Sequence, residues 1–135
     1  MKNIIYNEHN LNLICELILQ NLTADLLPKK FREENMTNTT FGHCHTASAC
    51  LQRIFSSKQL KLYRAIDSRD IWHWWCVDND NNIIDLTKEQ YTSLGKLPPY
   101  EDGEKSYRLG FAYRERMNEL FDRVNKELKM LCYSS

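Results

Sequence analysis

The stretch Ile71–Leu86 reads IWHWWCVDNDNNIIDL. IWHWWCV is rich in aromatic and β-branched residues, the types that suit a pleated, half-buried strand. DNDNN consists of turn formers, whose short polar side chains bond to their own backbone. IIDL is the returning strand. The stretch therefore predicts a β-hairpin with its tip at Asp78–Asn82. Strand side chains alternate between faces, so Ile71, His73, Trp75 and Val77 share one. If Val77 pairs with Ile83, Trp75 opposes Asp85, and His73 and Asp85 become diagonal neighbours on that face. A two-residue loop at Asn79–Asp80 would invert the pattern and separate them. A His–Asp partnership thus requires an odd loop, of three or five residues.

A histidine inside an aromatic strand is partly buried, and its ring N–H needs an acceptor. Asp85 is the candidate. Each residue also has a plainer reading. His73 can be a core histidine bonded to a backbone carbonyl. Asp85 or Thr87 can accept from a following N–H and cap the turn that DLTKEQY begins. Trp72, Trp74 and Trp75 are expected to be mostly core and sheet cover, with one of them walling a pocket beside His73.

Upstream lies FGHCHTASACLQRIF, Phe41–Phe55. Ala47, Cys50, Leu51, Ile54 and Phe55 recur at helical spacing. They predict a helix that starts near Cys44, turns one face inward and is capped by Thr39 or Thr40. A helix N-terminus favours a thiolate through its partial positive charge and free N–H groups, and a nearby imidazole supplies a base. Cys44 sits at that terminus. Gly42 permits a close approach of backbone to substrate, and the Cys44 amide is placed to stabilise an oxyanion. His43 fits two roles, an oxyanion-side donor or a plain helix-start residue. His45 is expected to be exposed.

Zinc is the chemical rival, since His43, Cys44, His45, Cys50, His73 and Cys76 are all ligand types. On a strand, however, His73 and Cys76 point to opposite faces, and adjacent residues on a helix diverge. No paired C-x-x-C is present. The reading is therefore no metal and no cofactor. Asp78 and Asp80 read as a solvated turn, because the ligand pattern of a calcium loop is missing.

Outside these stretches, Asn7 or Asn10 caps a first helix with Leu11, Ile14, Ile18 and Leu22 on one face. Pro28 kinks or shortens a second helix. LKLYRAI is a strand, and the segment from Thr87 to Gly110 is mostly loop. A final helix carries Tyr113, Met117, Leu120, Phe121, Val124, Leu128 and Leu131 on one face, and this face covers the sheet. The chain of 135 residues is read as one domain. Its parts are an N-terminal helical segment (1–38), a core (39–87), a loop (88–110) and a C-terminal helix (111–132). The fold class is α+β, with the central helix on a small antiparallel sheet. A formal net charge of zero gives no electrostatic case for nucleic acid as the main partner. No run approaches the roughly 18 apolar residues of a membrane helix, and MKNIIYNEHN lacks the features of a signal peptide. A cytoplasmic location is expected. The five cysteines show no disulfide-like spacing, and Cys15 and Cys132 read as small hydrophobes.

A cysteine at a helix start, then a histidine on a strand, then an aspartate on the next strand resembles the transglutaminase-like branch of the papain-like cysteine enzymes. Arylamine acetyltransferases share the layout. At motif level, GHCHTA, HWW, DLTKEQY, PPYEDG and GF resemble a group of small bacterial and phage proteins related to YunG. The matching positions are Gly42, His43, Cys44, His73, Trp74, Asp85, Thr87, Gln90 and Tyr91, from about Gly42 to the final helix. The chain departs from the group between Glu104 and Leu109, which is charged where the group is glycine-rich. The resemblance implies a papain-like core and a Cys44–His73–Asp85 triad. It also implies that Gly42, His43, Trp74, Thr87 and Gln90 surround the substrate or oxyanion. The expected activity is a cysteine hydrolase or acyltransferase on a protein or peptide substrate. The alternative is a non-catalytic binding module, such as a phage-encoded inhibitor of a host protein. The aromatic strand and PPYEDG would then form the contact surface.

Overall fold

The computed structural model describes residues 4–27, 29–36, 42–106 and 111–134, with the side chains of the last helix described from 114 to 131. The expectations for Pro28, Thr39 and Thr40, and for the side chains of Tyr113 and Cys132, fall outside the described residues.

Helix α1 spans Glu8–Gln20, and the Asn7 side chain accepts from the Asn10 amide at 2.8 Å. Of the two caps foreseen, Asn7 is the one used. Its buried face carries Ile14, Leu17 and Ile18. Helix α2 follows at Lys29–Asn35 and α3 at Cys44–Phe55. Strands β1 (Leu60–Ile66), β2 (Trp72–Asp78) and β3 (Ile83–Ile84) come next, then a short helix α4 at Glu89–Thr92. Strand β4 (Glu104–Ser106) and the long helix α5 (Phe111–Ser134) complete the chain. The four strands form one antiparallel sheet in the order β3-β2-β1-β4. The fold is α+β.

The hairpin has the register that joins His73 to Asp85. Val77 pairs with Ile83 and Cys76 with Ile84. The Asp78 amide donates to the Asn82 carbonyl at 3.1 Å, which leaves the odd loop Asn79–Asn81. Asn81 closes it at φ 64°, the left-handed residue that three-residue hairpin loops use. Asp78 itself corrects the solvated-turn reading, because it is buried. Its Oδ1 accepts from the Asp80 and Asn82 amides, both at 2.9 Å, and its Oδ2 accepts from the Tyr6 hydroxyl at 2.9 Å. The carboxylate thus organises the turn and ties the N-terminal segment to it.

The one-faced helix foreseen for α3 is also corrected. Every residue from Cys44 to Leu51 is buried, including His45, which was expected to be exposed. The sheet, α1 and α5 all pack against this helix. Small residues allow the close approach. Ser48 Oγ donates to the Trp74 carbonyl at 3.3 Å, and Cys76 Sγ donates to the Ser48 carbonyl at 3.3 Å. On α5, Met117, Leu120, Phe121 and Val124 are buried in the common core, each such side chain contributing about 1.5–3 kcal/mol.

The segment from Thr87 to Gly110 is more structured than foreseen. Besides α4 it contains a 3₁₀ turn at Tyr100–Asp102 and β4. Strand β4 pairs with β1 through Leu62–Ser106 and Arg64–Glu104, using backbone hydrogen bonds that need no apolar side chains.

Candidate active site

Cys44 is the first residue of α3, where the leading amides have no intrahelical acceptor. It lies beside the start of β2, and its Sγ donates to the Trp72 carbonyl at 3.7 Å. It is also one of the neighbours that raise the pKa of the His73 ring. Gly42, two residues before α3 proper, has φ +82°, the left-handed region that favours glycine, and packs closely on Leu27 and Phe31, where a Cβ would meet Leu27 Cδ2 at 2.9 Å.

His73 is fully buried, and Asp85 has a side chain only 2% exposed. His73 Nε2 donates to Asp85 Oδ2 at 2.6 Å. Three further donors hold the carboxylate. The Tyr100 hydroxyl reaches Oδ2 at 2.8 Å, while the Thr87 amide and hydroxyl reach Oδ1 at 3.1 and 3.5 Å. Of the two turn acceptors foreseen, Asp85 is the one that takes a following N–H, that of Thr87, and the same carboxylate also holds the histidine. Gln90 closes the ring. Its Nε2 donates to His73 Nδ1 at 2.8 Å and to Thr87 Oγ1 at 3.2 Å. In the neutral ring these directions put the proton on Nε2 and the lone pair on Nδ1.

The electrostatics follow from this closed network. Burial pulls the His73 pKa down, but hydrogen bonds to Asp85 and Cys44 and the charges of both outweigh it, and the value is raised to about 9. Burial raises the Tyr100 phenol, reinforced by the adjacent Asp85 charge, so it remains a donor. Burial pushes the other described thiols up, Cys15 to about 11 and Cys50 to about 12.

A cleft of about 230 Å³ opens at Cys44, lined by Lys30 and Phe31 of α2, Gly42, Trp72, Trp74 and Gln90 among others. Trp74 stacks face to face on His45, with ring centroids 3.6 Å apart. Of the three tryptophans, Trp75 is core, Trp74 is a buried wall and Trp72 is 42% exposed, with the Arg64 guanidinium 4.4 Å above its ring. Trp72 is thus not sheet cover. His43 lies away from this cleft. Its ring is completely buried, both nitrogens lack a hydrogen-bond partner among the described residues, and burial holds its pKa down at about 4.

Of the residues singled out from the sequence, Cys44, His73, Asp85, Thr87 and Gln90 come together, and Gly42 and Trp74 line the adjoining cleft. His43 does not join them. Tyr100 was missed, although PPYEDG had been marked as a motif and a tyrosine after two prolines is a rigidly presented donor. Among the described residues no group of three His, Cys, Asp or Glu side chains could hold a metal ion. Among them, too, no helix is long and apolar enough to cross a membrane.

No curated protein and no solved structure matches the chain. A family model described as YunG protein does, over residues 11–129. The match begins inside α1 and so takes in the helical segment that the motif resemblance left uncovered. Since it spans most of the 135 residues, the chain belongs to the YunG protein family.

Proposed function

We propose that the protein is a cysteine-dependent hydrolase or acyltransferase with a papain-like Cys44–His73–Asp85 triad, acting on an amide or thioester bond of a protein or peptide. The observation that carries this reading is the buried His73, bonded to Asp85 through Nε2, with Cys44 Sγ on the carbonyl of the preceding residue Trp72. That arrangement leaves Nδ1 as the base. Cys44 Sγ attacks the carbonyl carbon, a C–S bond forms, and the thiol proton passes to Nδ1. The Cys44 amide at the helix start stabilises the oxyanion. Collapse of the intermediate breaks the C–N or C–S bond of the substrate, and the leaving group takes the proton back from Nδ1. Water or an amine then releases the acyl group from Cys44. Gln90 has a part in this cycle. Its amide donates to Nδ1 while the ring is neutral. When Nδ1 gains a proton, the amide must turn its carbonyl towards it.

The test is alkylation by iodoacetamide at about pH 7, with each cysteine followed by peptide mapping. Cys44 is expected to label at least about tenfold faster than the half-buried Cys15. His73→Ala should abolish the difference while leaving the circular dichroism spectrum unchanged. Equal labelling of Cys44 and Cys15 in the native protein overturns the proposal and favours the binding-module reading.

A further inference from the structure

A second cavity, of about 420 Å³, lies beside the Cys44 cleft. Ile71 and Gln90 line both, so the two share a wall that also carries the hydrogen bond to His73. Part of its lining is apolar. It includes Ile66, Leu94 and Leu97, of which Leu94 is 52% and Leu97 86% exposed. Large apolar side chains held in water around a concavity are a mark of ligand sites.

The partition between the cavities is hydrogen-bonded on both sides. It is the turn Asp67–Ile71, in which Asp67 Oδ1 accepts from the Arg69 and Ile71 amides at 2.8 and 3.0 Å. On one side the Tyr91 hydroxyl donates to Asp67 Oδ2 at 2.7 Å. On the other, Arg69 forks onto both carboxylate oxygens of Glu34 in α2, at 2.8 and 2.7 Å. The turn is thus tied to both helices that wall the two spaces, and little ordering is left for a ligand to bring about.

We infer that this cavity is a second subsite of the Cys44 cleft, and that it receives an apolar side chain of a peptide whose carbonyl lies at Cys44. The inference rests on the proposed function. A peptide is favoured over a lipid acyl chain because Ser68, Lys96 and Asp102 line the same cavity. They suit the N–H and C=O groups that flank a side chain, which an acyl chain lacks.

The experiment compares three alkylating probes: iodoacetamide, iodoacetyl-glycinamide and iodoacetyl-leucinamide. In each, Cys44 Sγ displaces iodide from the same CH₂ group, so the rates differ only through binding. The leucine probe is expected to label Cys44 about tenfold faster than the glycine probe. The double substitution Leu94→Asn with Leu97→Asn should remove that preference and leave the iodoacetamide rate unchanged. Equal rates for the two probes, or a preference that survives the double substitution, overturns the subsite. A non-covalent arm uses Cys44→Ala and follows backbone amide shifts. Acetyl-leucine methylamide should perturb Leu94 and Lys96, and acetyl-glycine methylamide should not. No perturbation overturns the subsite even if Cys44 is reactive. Perturbation beside an inert Cys44 supports the subsite and overturns only the nucleophile.

Discussion

Replacing Asp85 with asparagine removes one charge and almost no volume from a buried network. In the native protein His73 is moved from its ordinary 6.5 to about 9, against the pull of burial. At about 1.4 kcal/mol for each pH unit, that preference for the imidazolium is worth about 3 kcal/mol. Asp85 is the first of the influences that raise it, with Cys44 next. The folded chain binds this proton more tightly than the unfolded chain. Its contribution to stability is therefore fully present below about pH 6.5 and is lost as pH rises through about 9. In Asp85→Asn burial remains, so the His73 pKa should fall back towards or below 6.5 and this pH dependence should vanish. The assay is urea unfolding of both proteins at several pH values across that window, taking the difference so that unrelated groups cancel. His43 and His45, which burial holds at about 4 and about 3, are common to both proteins and cancel in that difference. The native protein should lose about 2–3 kcal/mol more than the variant between the two ends. Parallel stability curves would refute the claim that Asp85 holds the imidazolium.

On the acid side, His43→Leu should lower the midpoint of acid unfolding followed by circular dichroism. A histidine buried at a pKa of about 4 makes the native state lose stability as pH falls below 6.5, and leucine carries no proton site. Tyr100→Phe should cost about 1–2 kcal/mol in urea unfolding, because Asp85 Oδ2 loses a donor at 2.8 Å in a buried site. An unchanged midpoint would mean that water replaces the hydroxyl at no cost. Gly42→Ala combines a left-handed backbone with a 2.9 Å contact to Leu27. It should lower Tm by several degrees, at a cost of about 2 kcal/mol or more, and slow Cys44 alkylation by displacing the start of α3.

The hairpin was legible from the sequence because strand geometry is digital. A slip of one residue turns every side chain to the other face. Pairing Val77 with Ile83 therefore followed from asking which loop lets His73 meet Asp85, and that is the pairing present. Helix α3 was legible in position but not in burial. Its apolar stripe through Ala47, Leu51 and Ile54 says which face meets a core, and says nothing of a helix enclosed on all sides. Such a helix shows itself through small residues in place of polar ones. Ala47, Ser48, Ala49 and Cys50 are that signal, and they explain why His45 is buried against Trp74. Strand β4 left no apolar trace, because Glu104 and Lys105 join the sheet through backbone pairing and, for Glu104, an ion pair with Arg64 at 3.0 Å.

Tyr100 shows where local pattern stops being informative. Asp85 Oδ2 accepts from both His73 and Tyr100, residues on opposite sides of it in the chain. A buried carboxylate with one donor leaves lone pairs unsatisfied, and that cost is too large for a stable core. Once Asp85 is assigned to His73, further donors are therefore required. Thr87 fills part of that need from its own turn. The remaining donor had to come from the segment that looked like loop, which is why that segment folds back as a 3₁₀ turn at Tyr100–Asp102 and then enters the sheet as β4. The same turn sets Gly103 against Trp75, where a Cβ would lie 2.7 Å from the indole. The Tyr100 bond to Asp85 and the contact of Gly103 with Trp75 thus hold one short segment at two points.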